Sequence, residues 1–133
     1  MIRQTFNVED YWKVIIYYDI DYNYFGDAIK MLRKAGASWE GIKMIFDEMK
    51  SGETKAVTYS NLNKNISIMI LNKHSSDPDL LNTAVHEAEH VKQAMLEAYK
   101  VDDEGEKPAY TIGYLISKMW KALPLIMQEP YKS

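Results

Sequence analysis

The stretch from Leu80 to Lys100 constrains this chain most, because it predicts a long helix with two different faces. Apolar side chains recur along it at spacings of three and four residues, the period of an α-helix that packs on one side. These residues are Leu81, Ala84, Val85, Ala88, Val91, Met95, Ala98 and Tyr99. Just before the stretch, Asp77 and Pro78 predict where the helix starts, with Asp77 as its cap and Pro78 in the first turn.

The segment HEAEH, residues 86–90, falls on the side of this helix opposite the apolar residues. His86 and His90 are four residues apart, so both imidazoles can reach one metal ion from the same face. Glu87 stands beside the first histidine, where it can hold and deprotonate a metal-bound water. The alternative interpretation is a pair of solvated surface histidines. The H-E-x-x-H spacing favours the metal site.

The composition restricts the chemistry of such a site. The 133 residues include no cysteine, so a disulfide framework and a Cys-ligated zinc site are both excluded, and any metal must bind to His and carboxylate. A hydrophobic content of 47% and a charged content of 26% are typical of a globular protein, and the length predicts one domain over residues 1–133.

The charge and the hydropathy pattern restrict the partners and the location. A net charge of −3 makes neither nucleic acid nor an anionic membrane an obvious partner. The chain has no apolar run of membrane-spanning length. The residues at its N-terminus lack the apolar core of a signal peptide, so we expect a cytoplasmic protein.

The first part of the chain predicts one strand and two helices. Residues 12–19, WKVIIYYD, form an aromatic and β-branched run typical of a buried strand. A helical pattern follows over residues 21–35 and stops at Gly36. A second helix is capped by Ser38 and ends at Gly52. Its apolar side comprises Trp39, Ile42, Ile45, Phe46 and Met49.

The remaining elements lie on both sides of the histidine helix. Residues 55–62 and 66–72 predict an antiparallel hairpin, in which Val57–Ser60 is a candidate edge able to pair with an extended peptide. Pro108 fits the first turn of a last helix, which Pro124 ends or kinks. The apolar face of that helix comprises Ile112, Leu115, Ile116, Met119 and Leu123.

The HEAEH helix resembles the active-site helix of the zincin metallopeptidases. The segment EKPAY, residues 106–110, with the TIGYL that follows it, resembles the Glu-bearing helix of small cytosolic gluzincins, many of them phage-encoded or carried on mobile elements. The resemblance covers the second half of the chain. It implies an α+β, zincin-like fold with a small, mostly antiparallel sheet of about three strands and about four helices, including the H-E-x-x-H helix and a C-terminal Glu-bearing helix. The chain departs from the wider family pattern at Glu89 and Lys92, where uncharged and apolar residues are preferred.

A catalytic zinc site usually has three protein ligands, so a third ligand has to be found. The candidates are His74, Glu97, Asp102, Asp103, Glu104 and Glu106. Glu97 lies about 10 Å beyond His90 along a straight helix, too far to share one ion. If residues 101–105 are extended, they can return Glu106 to the level of the histidines over roughly 15 Å. The match to the gluzincin pattern selects the same residue.

The resemblance then implies a zinc-dependent metallopeptidase acting on a peptide or protein substrate. Zn²⁺ would be held by His86, His90 and Glu106, with Glu87 as the general base. Tyr110, on the same face as Glu106, would donate a hydrogen bond to the oxyanion, or it is a packing residue. Two alternatives stay open: a zincin-derived protein that binds metal without catalysis, and a helical structural protein in which HEAEH is accidental.

Overall fold

The computed structural model describes residues 1–127 and has an α+β architecture in which a four-stranded sheet carries helices on both faces. In chain order the elements are β1 (Ile2–Val8), β2 (Trp12–Tyr18), α1 (Phe25–Lys34), α2 (Trp39–Ser51), β3 (Ala56–Asn61), β4 (Ile66–Leu71), α3 (Asp77–Tyr99), α4 (Glu106–Met119) and α5 (Leu123–Ile126). One turn of 3₁₀ helix, Tyr22–Tyr24, precedes α1. The α+β class is therefore confirmed, with one more strand and one more helix than expected.

The sheet is mixed, with the strand order β1-β2-β4-β3. The outer pairs β1–β2 and β4–β3 are antiparallel, whereas the central pair β2–β4 is parallel. Strand β1 was not expected from the sequence. Its residues Ile2 to Val8 alternate between partly buried and exposed, but Gln4 occupies one of the inward positions, which weakens the apolar alternation by which a strand is recognised.

Alternate residues of the central strands enter two separate cores, as the two-residue period of a strand requires. Ile15 and Tyr17 of β2 pack with α1 and α2, whereas Val14, Ile16 and Tyr18 pack with α3, α4 and α5. Both faces are thus covered, which explains why β2 and β4 are nearly continuous apolar runs.

Helix α2 begins and ends where the sequence predicts. The Ser38 hydroxyl accepts a hydrogen bond from the Gly41 amide, and Gly52 is left-handed at the C-terminal end. The prediction that Trp39 lies on the buried side of α2 is wrong, because this residue is 62% exposed. The Arg33 guanidinium lies 4.6 Å from the centre of its ring, which gives the exposed indole a cationic partner.

Strand β3 lies at one edge of the sheet, so the segment Val57–Ser60 is an edge as the sequence suggested. Helix α3, which follows the hairpin, packs against β3 and β4. Its cap is Ser76, whose hydroxyl accepts a hydrogen bond from the Asp79 amide at 3.2 Å, and not the expected Asp77. The short serine side chain in extended backbone satisfies one of the free amides at the start of the helix, and Asp77 becomes its first residue.

The end of the described chain also differs from expectation. Pro108 does stand in the first turn of α4, but α4 ends at Met119 and Leu123 begins the separate helix α5. In a continuous helix the ring of Pro124 would clash with the carbonyl of residue 120, whereas the start of a new helix accommodates it. Across residues 1–127, no helix combines the length and the apolar character needed to cross a membrane.

The turn after α1 gives a test of the backbone. Gly36 has a φ of +100°, and a Cβ added there would lie 2.7 Å from Asn61 Nδ2. We predict that Gly36→Ala lowers the free energy of unfolding by about 1–3 kcal/mol, because a side chain is strained in this conformation. Chemical denaturation measures this change.

Gly113→Ala is the matched control. This glycine lies inside α4, and an added Cβ would meet nothing within 4 Å. The substitution should raise the free energy of unfolding by about 0.5–1 kcal/mol, the helix preference of alanine over glycine. A Gly36→Ala protein as stable as the wild type would contradict the described turn.

Candidate metal centre

The two histidines of the HEAEH segment project from the middle of α3 on its outer side. Ala84, Ala88 and Val91 are buried in the core, which fixes the rotation of the helix about its axis. His86 and His90 consequently face outward, and the side chain of His86 is 69% exposed. The structure thus confirms that these histidines are not core residues.

The imidazole nitrogens are spaced for one ion. His86 Nε2 and His90 Nε2 are 3.3 Å apart, and their rings are nearly perpendicular, at 84°. Two nitrogens bound to a tetrahedral zinc at about 2.0–2.1 Å lie roughly 3.3 Å from each other. The separation of the two nitrogens is therefore compatible with their binding one ion.

The Glu87 carboxylate completes a group of three possible ligands. Its side chain is nearly buried, and Oε1 accepts a hydrogen bond from the Thr58 hydroxyl of β3 at 2.8 Å. Oε2 lies 3.8 Å from His86 Nε2. One ligand atom from each of His86, Glu87 and His90 lies within 4.8 Å of the other two. Imidazole nitrogen and carboxylate oxygen are a donor set that suits a divalent transition metal, so these residues fit such an ion.

A groove of about 490 Å³ runs between α3 and the edge strand β3 at this position. Its strand wall includes Ala56, Thr58 and Ser60, which are alternate residues on one side of β3, and these side chains are short enough to leave the space open. The helix wall includes His86, Glu87, His90, Gln93 and Glu97. The three possible ligands therefore line a groove that is large enough for a segment of another molecule.

Glu106 is not brought into this group. It is the exposed first residue of α4. Within residues 1–127, one group of at least three possible metal ligands has its ligand atoms close together, and it consists of His86, Glu87 and His90. The next residue, Lys107, pairs with Glu9 at 2.6 Å in the turn between β1 and β2. The role of Glu106 as third ligand stays a prediction from the resemblance, without support from this geometry.

The path of the loop before α4 explains the position of Glu106. Lys92 is nearly buried, and its ammonium lies 2.5 Å from Glu89 Oε1 and 3.0 Å from Asp103 Oδ1. Burial by itself would lower the pKa of Lys92, but the hydrogen bonds and charges of Glu89 and Asp103 outweigh it and raise that pKa. Lys92 lies about 200° around the helix from His90, so the loop is held on a different face from the histidines. Glu89 and Lys92 thus form an ion pair within α3, and Lys92 also binds Asp103 and so anchors this loop.

The other predicted site residues also lie outside the three-residue group. Tyr110 is 71% exposed and lines a different groove, beside Val8 and Glu9. The side chain of His74 is buried, and its Nδ1 lies 2.6 Å from Asp19 Oδ1, so it connects the end of β2 to the segment before α3. Glu97 lines the groove beyond the histidines, consistent with its exclusion by distance. Asp102 and Glu104 are exposed loop residues.

Thr58 is the residue at the site that the spacing along the chain does not reveal. The sequence signal that could have revealed it is the alternation along β3. Val57 and Tyr59 pack in the core beside α1 and α2, so the side chain of Thr58 between them points toward α3.

Comparisons of the chain with protein-family models, with curated proteins and with solved structures found no match. The assignment of the site therefore rests on its geometry and on the H-E-x-x-H spacing.

The histidine pair predicts stoichiometric metal binding. After reconstitution the protein should hold about one zinc per chain, and the double substitution of His86 and His90 by Ala should abolish it. His74→Gln is the control, because it removes the remaining histidine without touching the group. It should keep the metal, provided that thermal unfolding shows a folded protein. Elemental analysis that finds full zinc in the double variant would contradict the site.

The position of Glu106 gives a second prediction. In the described arrangement the carboxylate of Glu106 lies outside the ligand group, so this geometry predicts that Glu106→Ala and Glu104→Ala bind zinc with the affinity of the wild type, whereas the resemblance predicts that Glu106→Ala loses affinity. A third ligand would behave differently, since even outer-shell substitutions weaken metal by about 10–100-fold. Competition against a chelator measures the affinity. A loss of this size in Glu106→Ala alone would support Glu106 as the third ligand, as in the gluzincins, and would require α4 to move when metal binds.

Proposed function

We propose that this protein is a metal-dependent peptidase of the zincin type that hydrolyses peptide bonds in the groove between α3 and β3. The observation that carries the proposal is the 3.3 Å separation of the His86 and His90 Nε2 atoms, with the Glu87 carboxylate anchored beside them. Metal-assisted hydrolysis needs an ion with open positions, a base next to it and space for the substrate. The residues of the groove can meet each of these needs.

His86 and His90 would hold the ion, and zinc is the metal we propose because it binds imidazole nitrogens and catalyses hydrolysis without redox chemistry. When bound, the ion supplies a coordinated water of lowered pKa and polarises the substrate carbonyl. Glu87 would accept the proton of the attacking water and return it to the leaving amine. Its Oε2 is suited to this role because it faces the histidine nitrogens, whereas Oε1 is occupied by Thr58.

The edge strand β3 would hold the substrate. It is the last strand on its side of the sheet, so its outer main-chain amides and carbonyls have no neighbouring strand within residues 1–127. An extended peptide can pair with such an edge through main-chain hydrogen bonds that do not depend on its sequence. Such pairing would place a peptide along the groove wall that carries Thr58 and Ser60.

The second candidate is a zincin-derived protein that binds metal and a partner but does not hydrolyse it. The high exposure of His86 favours this candidate, as does the lack, within residues 1–127, of a carboxylate other than Glu87 in the ligand group. A catalytic ion is usually held by three protein ligands in a water-excluding site. Both candidates require metal, so hydrolysis is the property that separates them.

The test of the peptidase is the substitution Glu87→Gln, which keeps the size of the side chain and removes the proton acceptor. It should retain zinc and lower the hydrolysis of a labelled unfolded protein by about 10²–10⁴-fold, the contribution of a general base. Cleavage is followed by the appearance of new termini in mass spectrometry.

Glu89→Gln is the matched control, because Glu89 belongs to the same segment but pairs with Lys92 away from the groove. It should keep the activity of the wild type. Full activity in Glu87→Gln would place the base elsewhere. A zinc-loaded wild-type protein that cleaves neither unfolded proteins nor a peptide library would favour the non-catalytic candidate.

A further inference from the structure

The Glu87 carboxylate depends on one protein hydrogen bond from another element. Glu87 is only 5% exposed, and within residues 1–127 the Thr58 hydroxyl is the one protein group that donates a hydrogen bond to it. The other oxygen, Oε2, faces His86 Nε2 at 3.8 Å. The two oxygens of this carboxylate therefore have different surroundings, because Thr58 binds Oε1 and leaves Oε2 on the side of the histidines.

The position of Thr58 is itself fixed by the sheet. Val57 and Tyr59 pack into the core beside α1 and α2, so the side chain between them must point to the opposite face, toward α3. Thr58 is paired with Met69 of β4, which lies inside the sheet. A β-branched side chain in a strand has few rotamers, so the position of the Thr58 hydroxyl oxygen is restricted.

The neighbouring hydroxyl on the same wall has other partners. Ser60 Oγ lies 2.6 Å from Ser67 Oγ, and Ser67 accepts a hydrogen bond from Trp12 Nε1 at 2.9 Å. In the described geometry Ser60 is thus bound toward the sheet rather than toward Glu87. Without the Thr58 hydroxyl, Glu87 Oε1 would have no protein donor in the described part of the chain.

We propose that Thr58 is a positioning residue, whose hydroxyl holds Glu87 Oε1 so that Oε2 faces the ion bound by His86 and His90. The terminal torsion of a glutamate is soft, and an anchor on one oxygen restricts it. The inference rests on the proposed function for the role of Glu87, and it assigns the orientation of that base to the edge strand. A peptide paired with β3 would then lie on the same strand that orients the base.

The test uses the full chain loaded with Co²⁺ in place of zinc, because the visible absorption of Co²⁺ reports the arrangement of groups around the ion. Thr58→Val keeps the shape of the side chain and removes the hydroxyl, whereas Thr58→Ser keeps the hydroxyl. We expect the wild type and both variants to bind one Co²⁺ per chain. The spectrum should change in Thr58→Val and should be that of the wild type in Thr58→Ser. Hydrolysis should fall about 10–100-fold in Thr58→Val, the range known for outer-shell partners, and return in Thr58→Ser.

Two controls separate positioning from general structural damage. Thr111→Val removes another nearly buried threonine hydroxyl, which donates to the Lys107 carbonyl in α4, and should change neither the spectrum nor hydrolysis. In a Glu87→Ala background, Thr58→Val should have no further effect on the spectrum, because the carboxylate through which it acts is absent.

The failures of the two proposals can be told apart. A Thr58→Val protein with the wild-type Co²⁺ spectrum, or a spectral change that persists without Glu87, would overturn the positioning role whether or not the protein is a peptidase. A wild-type protein that binds metal but cleaves nothing would overturn the peptidase, and the spectra would still decide the role of Thr58.

Discussion

The packing of the apolar side of α3 against the sheet is the interaction on which the candidate site depends. Ala84, Ala88, Val91 and Met95 are buried together with β2 and β4 side chains. Burial of the two larger side chains contributes roughly 1.5–3 kcal/mol each to stability. Because this side must face inward, the rotation of the helix is fixed, and the histidines four residues apart face outward over the groove. The direction of the possible ligands is thus set by apolar burial and not by the metal.

The second requirement is the contact between this helix and the edge strand. Glu87, the proposed base, belongs to α3, but the hydroxyl bonded to its carboxylate belongs to Thr58 of β3. The short side chains on the same face of β3 keep the groove open, whereas large apolar residues there would fill it. Within residues 1–127 the strand therefore combines three properties in one place: an unpaired edge, an open wall and a hydrogen-bond donor. The proposed peptidase would use them to hold an extended peptide and to orient Glu87 from the same strand.

The sequence was sufficient for the elements whose signals are local. The apolar period of α3, the caps of α2 and the hairpin of β3 and β4 are all encoded within short segments. Strand β1 was missed because Gln4 interrupts its apolar alternation, and the parallel pairing of β2 with β4 joins segments about fifty residues apart. The position of Glu106 could not be predicted, because the path of the loop before it depends on the ion pair of Lys92 and Asp103. Thr58 was missed because its hydrogen-bond partner, Glu87, lies on another element.

A crystal structure of the zinc-loaded protein, with the ion located by anomalous scattering at the zinc edge, tests the metal centre directly. We expect one strong peak in the groove, about 2.0–2.1 Å from the Nε2 atoms of both His86 and His90, with Glu87 beside it and still bonded to Thr58. A peak at any other place in the chain, or one that contacts only one of the two histidines, would contradict the assignment of the HEAEH segment as the metal centre.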